Sequence, residues 1–510
     1  MDKVLILDFG SQYTQLIARK IRELGIYSEI LPFDFSPSRI KKENPAAIVL
    51  SGGPQSVYKK DAPLLSPEIF KIGSPVLGIC YGLQLMAHLL GGKVYPSQQK
   101  EYGLARLKVL DRRGLLAGIK DDTQVWMSHG DKVEKPPPGF IVSGKTANSS
   151  AAVMEWRERR LFGVQFHPEV IHTKQGKKIL SNFLYSQTGL KAEWKMDFFI
   201  ERKTEEIRRQ VGRKKVICGL SGGVDSLVTA LIVHRAIKDH LFCFFVDNGL
   251  LRRGHYPDLM KRFRNQLALN VIGVDASQLF LERLKGITSP EKKRKIIGEL
   301  FIRIFKKEAE KIGRVDFLAQ GTICPDVIES HPVNGPSSQI KSHHNVGGLP
   351  SSLKFKLIEP LRELFKDEVR SLAEELRLGK DLISQHPFPG PGLAVRIVGE
   401  VTSERIDLLR EADDILVEEI KRAGLYEKLW QAFAVLLPVK SVGVMGDRRT
   451  YQSVVVVRLV RSADGMTADW FPARPKLLAS ISNRIVNEVD GVNRVVYDIT
   501  TKPPGTIEWE

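Results

Sequence analysis

The sequence predicts an α/β protein with two doubly wound parallel-sheet domains and a smaller C-terminal α+β domain. Over the first ~190 residues, apolar runs of strand length alternate with segments of helical spacing, which is the pattern of a parallel sheet with crossover helices. A second alternation begins near residue 215, and the pattern changes again near residue 386. We therefore expect domains at residues 1–190, 191–385 and 386–510.

Three apolar runs in the first domain have the length and composition of buried strands: Val4–Leu7, Ala46–Leu50 and Pro75–Ile79. A helix with apolar spacing follows the first run and ends at Gly25, a typical C-terminal stop. Another helix follows the third run and ends near Leu90. These strands should belong to one parallel sheet.

The rest of the chain continues with strands, helices and two irregular segments. Residues 333–352 lack periodicity and are rich in Gly, Ser, Pro, His and Asn, so we expect a functional loop there. Residues 387–392 (PFPGPG) predict a rigid turn cluster. The expected strands are Lys215–Leu220, Leu241–Asp247, Asn270–Val274, Asp316–Ala319, Val454–Val460 and Val492–Ile499, and the expected helices are Leu227–Ile237, Ser403–Ala423 and Arg474–Glu488.

Charge and cysteine content narrow the function classes. The chain has 77 Lys and Arg against 59 Asp and Glu residues, a formal net charge of +18, which favours phosphate-bearing partners. Its four cysteines are far apart and form no disulfide framework, so a reducing compartment, the cytoplasm, is expected. The N-terminus does not look like a signal peptide, and no apolar run approaches ~18 residues. A secreted, membrane-spanning or fibrous protein is thereby excluded.

A cysteine occupies a predicted strand-to-helix turn in residues 78–82 (GICYG). This is the cysteine form of a nucleophile elbow, in which glycines permit a tight turn and the following helix N-terminus favours a thiolate. A thiolate nucleophile needs a base, and His167 is a candidate. Glu169 lies two residues further on, on the same side of an extended chain, and could orient the imidazole. The alternative is a buried structural cysteine beside a surface histidine.

The first ~190 residues resemble class I, triad-type glutamine amidotransferase domains through residues 51–54 (SGGP), 78–84 (GICYGLQ) and 163–169 (GVQFHPE). The resemblance implies that Cys80 attacks the glutamine amide to give a glutamyl thioester and ammonia. His167 would then carry the proton, and Glu169 would orient it. The same resemblance assigns oxyanion or glutamine binding to Gly52, Gly53, Tyr81 and Gln84.

Residues 221–226 (SGGVDS) follow a predicted strand and open a helix, so small residues and a helix N-terminus can cradle an anion. The Gly-Lys-Ser/Thr of a Walker A loop is missing. The motif resembles the pyrophosphate loop of N-type ATP pyrophosphatases, which cleave ATP between its α and β phosphates. That resemblance implies ATP or pyrophosphate binding by Ser221, Gly222, Gly223, Val224, Asp225, Ser226, Val246, Asp247 and Lys366. It also implies that Asp225 helps to hold Mg²⁺.

The whole chain is similar to glutamine-hydrolysing GMP synthases through residues 341–350, 386–392, 441–447 and 502–510. The resemblance implies that XMP, ATP, glutamine and water give GMP, AMP, pyrophosphate and glutamate, through an adenyl-XMP intermediate attacked by ammonia. It further implies a lid near residues 333–352 and a homodimer formed by residues 386–510. Two residues, Cys324 and Arg448, depart from the family pattern. The implied XMP contacts are Pro389, Gly390, Asp447, Arg449, Lys502, Ile507 and Glu508.

Other interpretations stay open at this point. A basic RNA-modifying or RNA-binding protein with the same loop would explain the charge but not the amidotransferase segments, and no RNA-binding module is recognisable. A catalytically silent scaffold would not need every chemical group that is present. His343 and His344 have no carboxylate or cysteine at ligand spacing, so we expect no metal there. The C-terminal residues could also form a solvated tail rather than part of a site.

Overall fold

The computed structural model describes residues 2–324, 326–327, 355–445, 447–462 and 467–510. The predicted loop at 333–352, with His343 and His344, lies outside these ranges. The chain divides after Phe198 into two units. Nowhere in the described ranges does a helix combine the length and apolarity that a bilayer crossing requires.

The first unit contains a nine-stranded sheet in the order β2-β1-β3-β4-β9-β8-β7-β5-β6. Its strands are β1 Lys3–Asp8, β2 Tyr27–Pro32, β3 Ala47–Leu50, β4 Val76–Ile79, β5 Lys93–Val109, β6 Thr123–Lys135, β7 Ile141–Lys145, β8 Val153–Trp156 and β9 Leu161–Val164. Its helices are α1 Thr14–Arg22, α2 Pro37–Glu43, α3 Tyr81–Leu89 and α4 Gly176–Ser181, and α5 Met196–Val211 contains the division between the units.

The α/β class is confirmed, but this sheet is parallel only from β2 to β9. The pairs β9–β8, β8–β7, β7–β5 and β5–β6 are antiparallel. Only four residues join β8 to β9, and a parallel crossover needs a dozen or more. This short connection therefore forces the β8–β9 pair to be antiparallel. The strand–helix alternation at the start of the chain did not indicate the antiparallel half of the sheet.

The predicted amidotransferase segments meet because of this strand order. Strands β3, β4 and β9 are consecutive and mutually parallel. Residues 51–54, 80–82 and 165–169 begin where these three strands end. Since the carboxyl ends of parallel strands share one edge of the sheet, the three segments converge there. The strands are fully buried, and β3 and β4 pack in one core with Tyr81 and Leu83 of α3.

The second unit contains an all-parallel five-stranded sheet in the order β12-β11-β10-β13-β14. Strand β10 has β11 on one side and β13 on the other, so the strand order reverses beside it, and ligands typically bind at such a point. Residues 221–226 lie at the end of β10. The strands are β10 Val216–Leu220, β11 Leu241–Asp247, β12 Val271–Asp275, β13 Phe317–Ala319 and β14 Lys356–Ile358. The helices are α6 Val224–Ile237, α7 His255–Lys261, α8 Ser277–Leu284, α9 Pro290–Ile312, α10 Lys366–Glu375 and α11 Lys380–Ile383.

The last part of the chain forms a smaller α+β layer, as predicted. A long hairpin, β15 Gln431–Met445 and β16 Arg448–Arg461, dominates it, and β17 Asp469–Trp470 and β18 Val492–Tyr497 both pair with β16. Its helices are α12 Ser403–Arg422 and α13 Pro475–Glu488. The predicted strand at 454–460 is the buried half of β16.

The predicted boundary between residues 385 and 386 does not separate a third unit among the described residues. One hydrophobic core joins the two sides of that position: Val246, Phe280 and Leu300 share it with Leu416 and Val455. Burying these side chains together removes apolar surface from water on both sides at once. The two predicted domains therefore share this hydrophobic core.

Candidate active sites

Cys80 has φ +53° and ψ −104°, a strained backbone for a residue with a side chain. The glycines on either side of it permit this turn. A Cβ atom at Gly78 would lie 2.6 Å from the backbone of Gly82, and one at Gly82 would lie 2.3 Å from the Leu50 carbonyl oxygen. The G-x-C-x-G spacing is thus a packing requirement, because β3, β4 and the start of α3 touch at this point.

His167 and Glu169 form a buried pair beside this turn. The two side chains are 4% and 0% exposed, and His167 Nδ1 lies 2.7 Å from Glu169 Oε1. Burial lowers the pKa of His167, but the Glu169 carboxylate and the hydrogen bond with Cys80 outweigh it, so the pKa lies well above its usual value. The pair therefore favours an imidazolium next to the cysteine.

Two glutamine side chains form a chain of contacts that ends at the thiol. Gln165 Nε2 lies 3.8 Å from Cys80 Sγ, and the Ser128 carbonyl oxygen lies 3.7 Å from it. Gln84 Nε2 donates to the Asp131 carbonyl oxygen at 2.9 Å and lies 3.4 Å from Gln165 Oε1. Gln84 is thus connected to the cysteine through Gln165. Gln165 was not predicted as a site residue, although it stands inside the segment 163–169.

Gly52 lies beside the His167 ring, and Gly53 lies beside the Tyr81 ring. A Cβ atom at Gly52 would lie 3.2 Å from His167 Cε1, and one at Gly53 would lie 2.8 Å from the Phe9 carbonyl oxygen. A Cβ at Gly53 would also lie 3.3 Å from the Tyr81 ring. Gly52, Gly53 and Tyr81 are therefore gathered around the triad. Tyr81 is the first residue of α3, so its N–H is one of the unpaired donors at a helix N-terminus.

The loop after β10 is closed by its two serines. Ser226 Oγ lies 3.0 Å from Ser221 Oγ and accepts from the Ser221 N–H at 3.1 Å. Gly223 caps α6, and its N–H donates to Ser221 Oγ at 3.3 Å. Gly222 has φ +83°, which favours glycine. These contacts wrap the loop around the N-terminus of α6, so the backbone can bind an anion.

Asp225 and Lys366 are brought together from distant positions. Lys366 Nζ lies 2.6 Å from Asp225 Oδ2, and both side chains are about one-third exposed. Asp225 Oδ1 is buried and has no hydrogen-bond partner among the described residues. Val246 is buried at the end of the neighbouring strand β11, and Asp247 Oδ1 accepts from the Gly249 N–H at 2.9 Å. All the predicted ATP-binding residues therefore lie at or near the carboxyl edge of β10 and β11.

Glu508 is held by donors from two other segments. Arg396 donates from Nη2 to Oε1 at 2.9 Å and from Nε to Oε2 at 3.1 Å. Gln431 Nε2 donates to Glu508 Oε1 at 2.7 Å and to the Pro387 carbonyl oxygen at 2.9 Å. Glu508 is thereby linked to the turn cluster that contains Pro389 and Gly390. Arg396 and Gln431 were not predicted from the sequence, because no motif marks a side chain that acts only through a tertiary contact.

The C-terminal tail is anchored, unlike a solvated tail. The backbones of Lys502 and Ala468 exchange two hydrogen bonds, of 2.8 and 3.1 Å. Arg458 is 2% exposed and donates to carbonyl oxygens of the tail, including Ile507 at 2.9 Å. Lys293, 0% exposed, pairs with the Glu510 carboxylate. Lys502, Ile507 and Glu508 are therefore held in a defined arrangement.

Asp447 and Arg449 are not near Glu508 within one chain. Both are exposed at the tip of the β15–β16 hairpin. Arg458, which contacts the tail, stands nine residues beyond Arg449 on the same strand. At about 3.3 Å per strand residue, roughly 30 Å separates the two positions. The predicted XMP contacts therefore lie in two separate regions of one chain, at the hairpin tip and beside the C-terminal tail.

Two protein-family models match separate parts of the chain. Residues 5–187 match the family model for glutamine amidotransferase class-I, and residues 418–509 match that for the GMP synthase C terminal domain. The chain is 56% identical over 508 residues to the glutamine-hydrolysing GMP synthase of Carboxydothermus hydrogenoformans, with 100% of this chain and 99% of the relative covered. It is 57% identical over 509 residues, with the same coverage, to that of Caldanaerobacter subterraneus subsp. tengcongensis. These matches give no support to the RNA-binding alternative. The chain belongs to the family of glutamine-hydrolysing GMP synthases.

Proposed function

We propose that this protein is a ligase that forms GMP from XMP, ATP, glutamine and water, with AMP, pyrophosphate and glutamate as the other products. The observation that carries the proposal is the Cys80–His167–Glu169 cluster in a chain that belongs, over its full length, to the GMP synthase family. The second unit supports it with an anion-binding loop at the switch point of a parallel sheet.

In the first unit, the Cys80 thiolate attacks the side-chain amide carbon of glutamine. The N–H groups of Gly53 and Tyr81 stabilise the oxyanion. The C–N bond breaks as the His167 imidazolium gives its proton to the leaving nitrogen, which departs as ammonia. Neutral His167 then takes a proton from water, the water oxygen attacks the thioester carbon, and the C–S bond breaks to release glutamate. Glu169 holds the imidazole in place throughout.

In the second unit, the 2-oxygen of XMP attacks the α-phosphorus of ATP, and pyrophosphate leaves. The loop Ser221–Ser226 binds the departing pyrophosphate through its backbone and serines, Lys366 neutralises part of its charge, and Val246 and Asp247 lie beside the adenosine. Ammonia then attacks carbon 2 of the adenylated base, and AMP leaves. The reactions of the second unit are the same whether the ammonia comes from glutamine or from an added ammonium salt.

The residues present fit a Mg²⁺ ion that accompanies ATP. Asp225 Oδ1 is a buried oxygen with no partner among the described residues, and Mg²⁺ is usually held by one or two carboxylates together with substrate phosphates. The described residues contain no cluster of three or more His, Cys, Asp or Glu side chains that would hold a metal without substrate. Asp225 would hold the ion, which supplies charge neutralisation of the phosphates.

We propose that the XMP contacts come from both chains of a homodimer. Pro389, Gly390, Lys502, Ile507 and Glu508 contact XMP within one chain. Asp447 and Arg449, roughly 30 Å away along the hairpin, reach an XMP site only from the second chain of a homodimer. Exposed apolar side chains on the same hairpin support an interface there: Val442, Val444 and Tyr451 are 45%, 75% and 58% exposed. The four free cysteines are in keeping with a cytoplasmic enzyme.

One assay tests the function. Purified protein is supplied with XMP, ATP and MgCl₂, with glutamine in one series and ammonium chloride in the other, and GMP, AMP and pyrophosphate are quantified. We expect equal amounts of the three products in both series. Orthophosphate instead of pyrophosphate, or no GMP from either nitrogen source, would refute the proposal.

A further inference from the structure

Among the described residues, donors occupy three of the four acceptor positions of the Glu508 carboxylate. A carboxylate offers about two acceptor positions on each oxygen. Oε1 accepts from Arg396 Nη2 at 2.9 Å and from Gln431 Nε2 at 2.7 Å, so it is fully used. Oε2 accepts only from Arg396 Nε, at 3.1 Å, among the described residues. A ligand with a single N–H donor can therefore be bound through Oε2.

Arg396 is itself rigidly placed. Its side chain is 0% exposed, and its guanidinium carbon lies 4.3 Å from the Phe433 ring centre and 5.1 Å from that of Phe388. A planar guanidinium that packs on aromatic rings and binds a carboxylate through two parallel hydrogen bonds has one orientation available. Glu508 consequently cannot rotate to present a different oxygen while this pair is intact.

A ring N–H of a purine base is a donor that fits the Glu508 Oε2 acceptor. Xanthine carries ring N–H donors at N1 and N3. A purine that has a lone pair or a methyl group at one of these nitrogens offers no donor at that nitrogen. Arginine only donates, so both Glu508 oxygens act as acceptors towards it. A fixed acceptor of this kind rejects an edge without an N–H, because the bound ligand would shield the carboxylate oxygen from water without offering it a donor.

We propose that Arg396 is a specificity-determining positioning residue, which fixes Glu508 so that Oε2 accepts one ring N–H of the substrate base. Gln431 assists by occupying the other oxygen and by tying the carboxylate to the turn cluster through the Pro387 carbonyl oxygen. This inference rests on the proposed function, since it takes XMP as the ligand of Glu508. It adds a reason why the site selects xanthine over a purine that lacks the ring N–H.

The test uses the full-length protein with ammonium chloride as the nitrogen source, so that the glutaminase site plays no part. Wild type and Arg396→Lys are compared for XMP KM, ATP KM and kcat, and for inhibition by 1-methyl- and 3-methyl-xanthosine 5′-monophosphate. In wild type, one methylated nucleotide should bind about 100-fold more weakly than XMP. In Arg396→Lys we expect the XMP KM to rise about 10- to 100-fold, the ATP KM to stay within about twofold, and that discrimination to fall below about tenfold.

Arg405→Lys is the control, since Arg405 is a partly buried arginine of the same unit and donates to the carbonyl oxygens of Val398, Glu400 and Leu437. It should keep the wild-type discrimination. An Arg396→Lys enzyme that keeps the wild-type XMP KM and discrimination, or that changes no more than the control, would overturn the inference. A wild type that makes no GMP would instead refute the proposed function.

A second variant covers the case in which Arg396→Lys fails to fold. Gln431→Met removes the donor to Oε1 at nearly constant volume and leaves Arg396 in place. We expect it to raise the XMP KM about 5- to 20-fold, with the ATP KM unchanged. An unaltered XMP KM in folded Gln431→Met would count against the positioning of Glu508 by its donors.

Discussion

Lys366 Nζ lies 2.6 Å from Asp225 Oδ2, across 141 residues of sequence. Asp225 is in the first turn of α6, and Lys366 is the first residue of α10. Two helix N-termini therefore meet beside the loop Ser221–Ser226, and each contributes a partial positive charge. The ion pair holds a lysine and a carboxylate next to the place where pyrophosphate is proposed to leave.

Asp225→Asn is expected to lower GMP synthesis about 10- to 100-fold with either nitrogen source, because it removes both the partner of Lys366 and the carboxylate proposed for Mg²⁺. Initial rates with glutamine and with ammonium, at several MgCl₂ concentrations, check this. Ammonium-dependent synthesis at the wild-type rate would show that Asp225 has no part in ATP cleavage.

Cys80→Ala should abolish glutamine-dependent synthesis, by about three orders of magnitude or more, and spare synthesis from ammonium. The reason is that the thiolate is the only nucleophile proposed for glutamine, whereas ATP cleavage uses the other unit. His167→Ala should behave similarly. Cys243→Ala serves as a control, because Cys243 is a buried cysteine of the second unit. Parallel loss of both activities in Cys80→Ala would contradict the separation.

Glu169→Gln should shift the pH dependence of glutamine hydrolysis. The Glu169 carboxylate raises the pKa of His167, so the imidazolium persists to higher pH in the wild type. Without that charge the pKa falls, and the alkaline limb of kcat/KM for glutamine should move to lower pH. Glutamate release across a pH series measures this, and the profile with ammonium should not move. An alkaline limb at the wild-type pH would contradict the assigned role.

Lys502→Ala should weaken XMP binding without releasing the tail. Its backbone is paired with Ala468, so removal of the side chain leaves the anchor intact. We expect a cost of about 1.5–3 kcal/mol in XMP binding, the range for a hydrogen bond to a charged group. The XMP KM with ammonium is the measurement, and Lys476→Ala, an exposed lysine of α13, is the control. Equal XMP KM values in the two variants would remove Lys502 from the site.

The buried histidine His386 should make stability depend on pH. Its Nε2 lies 2.7 Å from the Tyr426 carbonyl oxygen and its Nδ1 accepts from the Ala432 N–H at 3.1 Å, which is the pattern of a neutral ring. Burial lowers its pKa to about 4, below that of an unfolded histidine. Stability from this group is therefore full above about pH 6.5 and is lost as pH falls towards 4, by at most about 3 kcal/mol. The melting temperatures of wild type and His386→Gln should converge over that interval, and a constant difference would contradict it.

The triad shows what local sequence can predict. The Cys80 turn needs glycines at fixed spacing because the backbones of β3, β4 and α3 touch there, and His167 and Glu169 share one side of a short segment. Parallel strands end at one edge, so the order of the strands suffices to bring these segments together. The antiparallel strands β5 to β8 were not predicted, because the alternation of strands and helices that indicates a parallel sheet is found at the start of the chain and does not continue through these strands.

The sequence by itself determined the fold class, and it predicted the grouping of Cys80 with His167 and Glu169 and the turn at residues 221–226, since each depends on spacing within a few residues or on strands that end at one edge. Only the tertiary structure decided the partners of Lys366 and Glu508, which pair across 141 and 112 residues. It also separated Asp447 and Arg449 from Glu508, although motif resemblance had grouped them. The physical reason is that contacts between distant segments depend on how strands and helices pack, and a motif carries a residue's identity but not its distance from another motif.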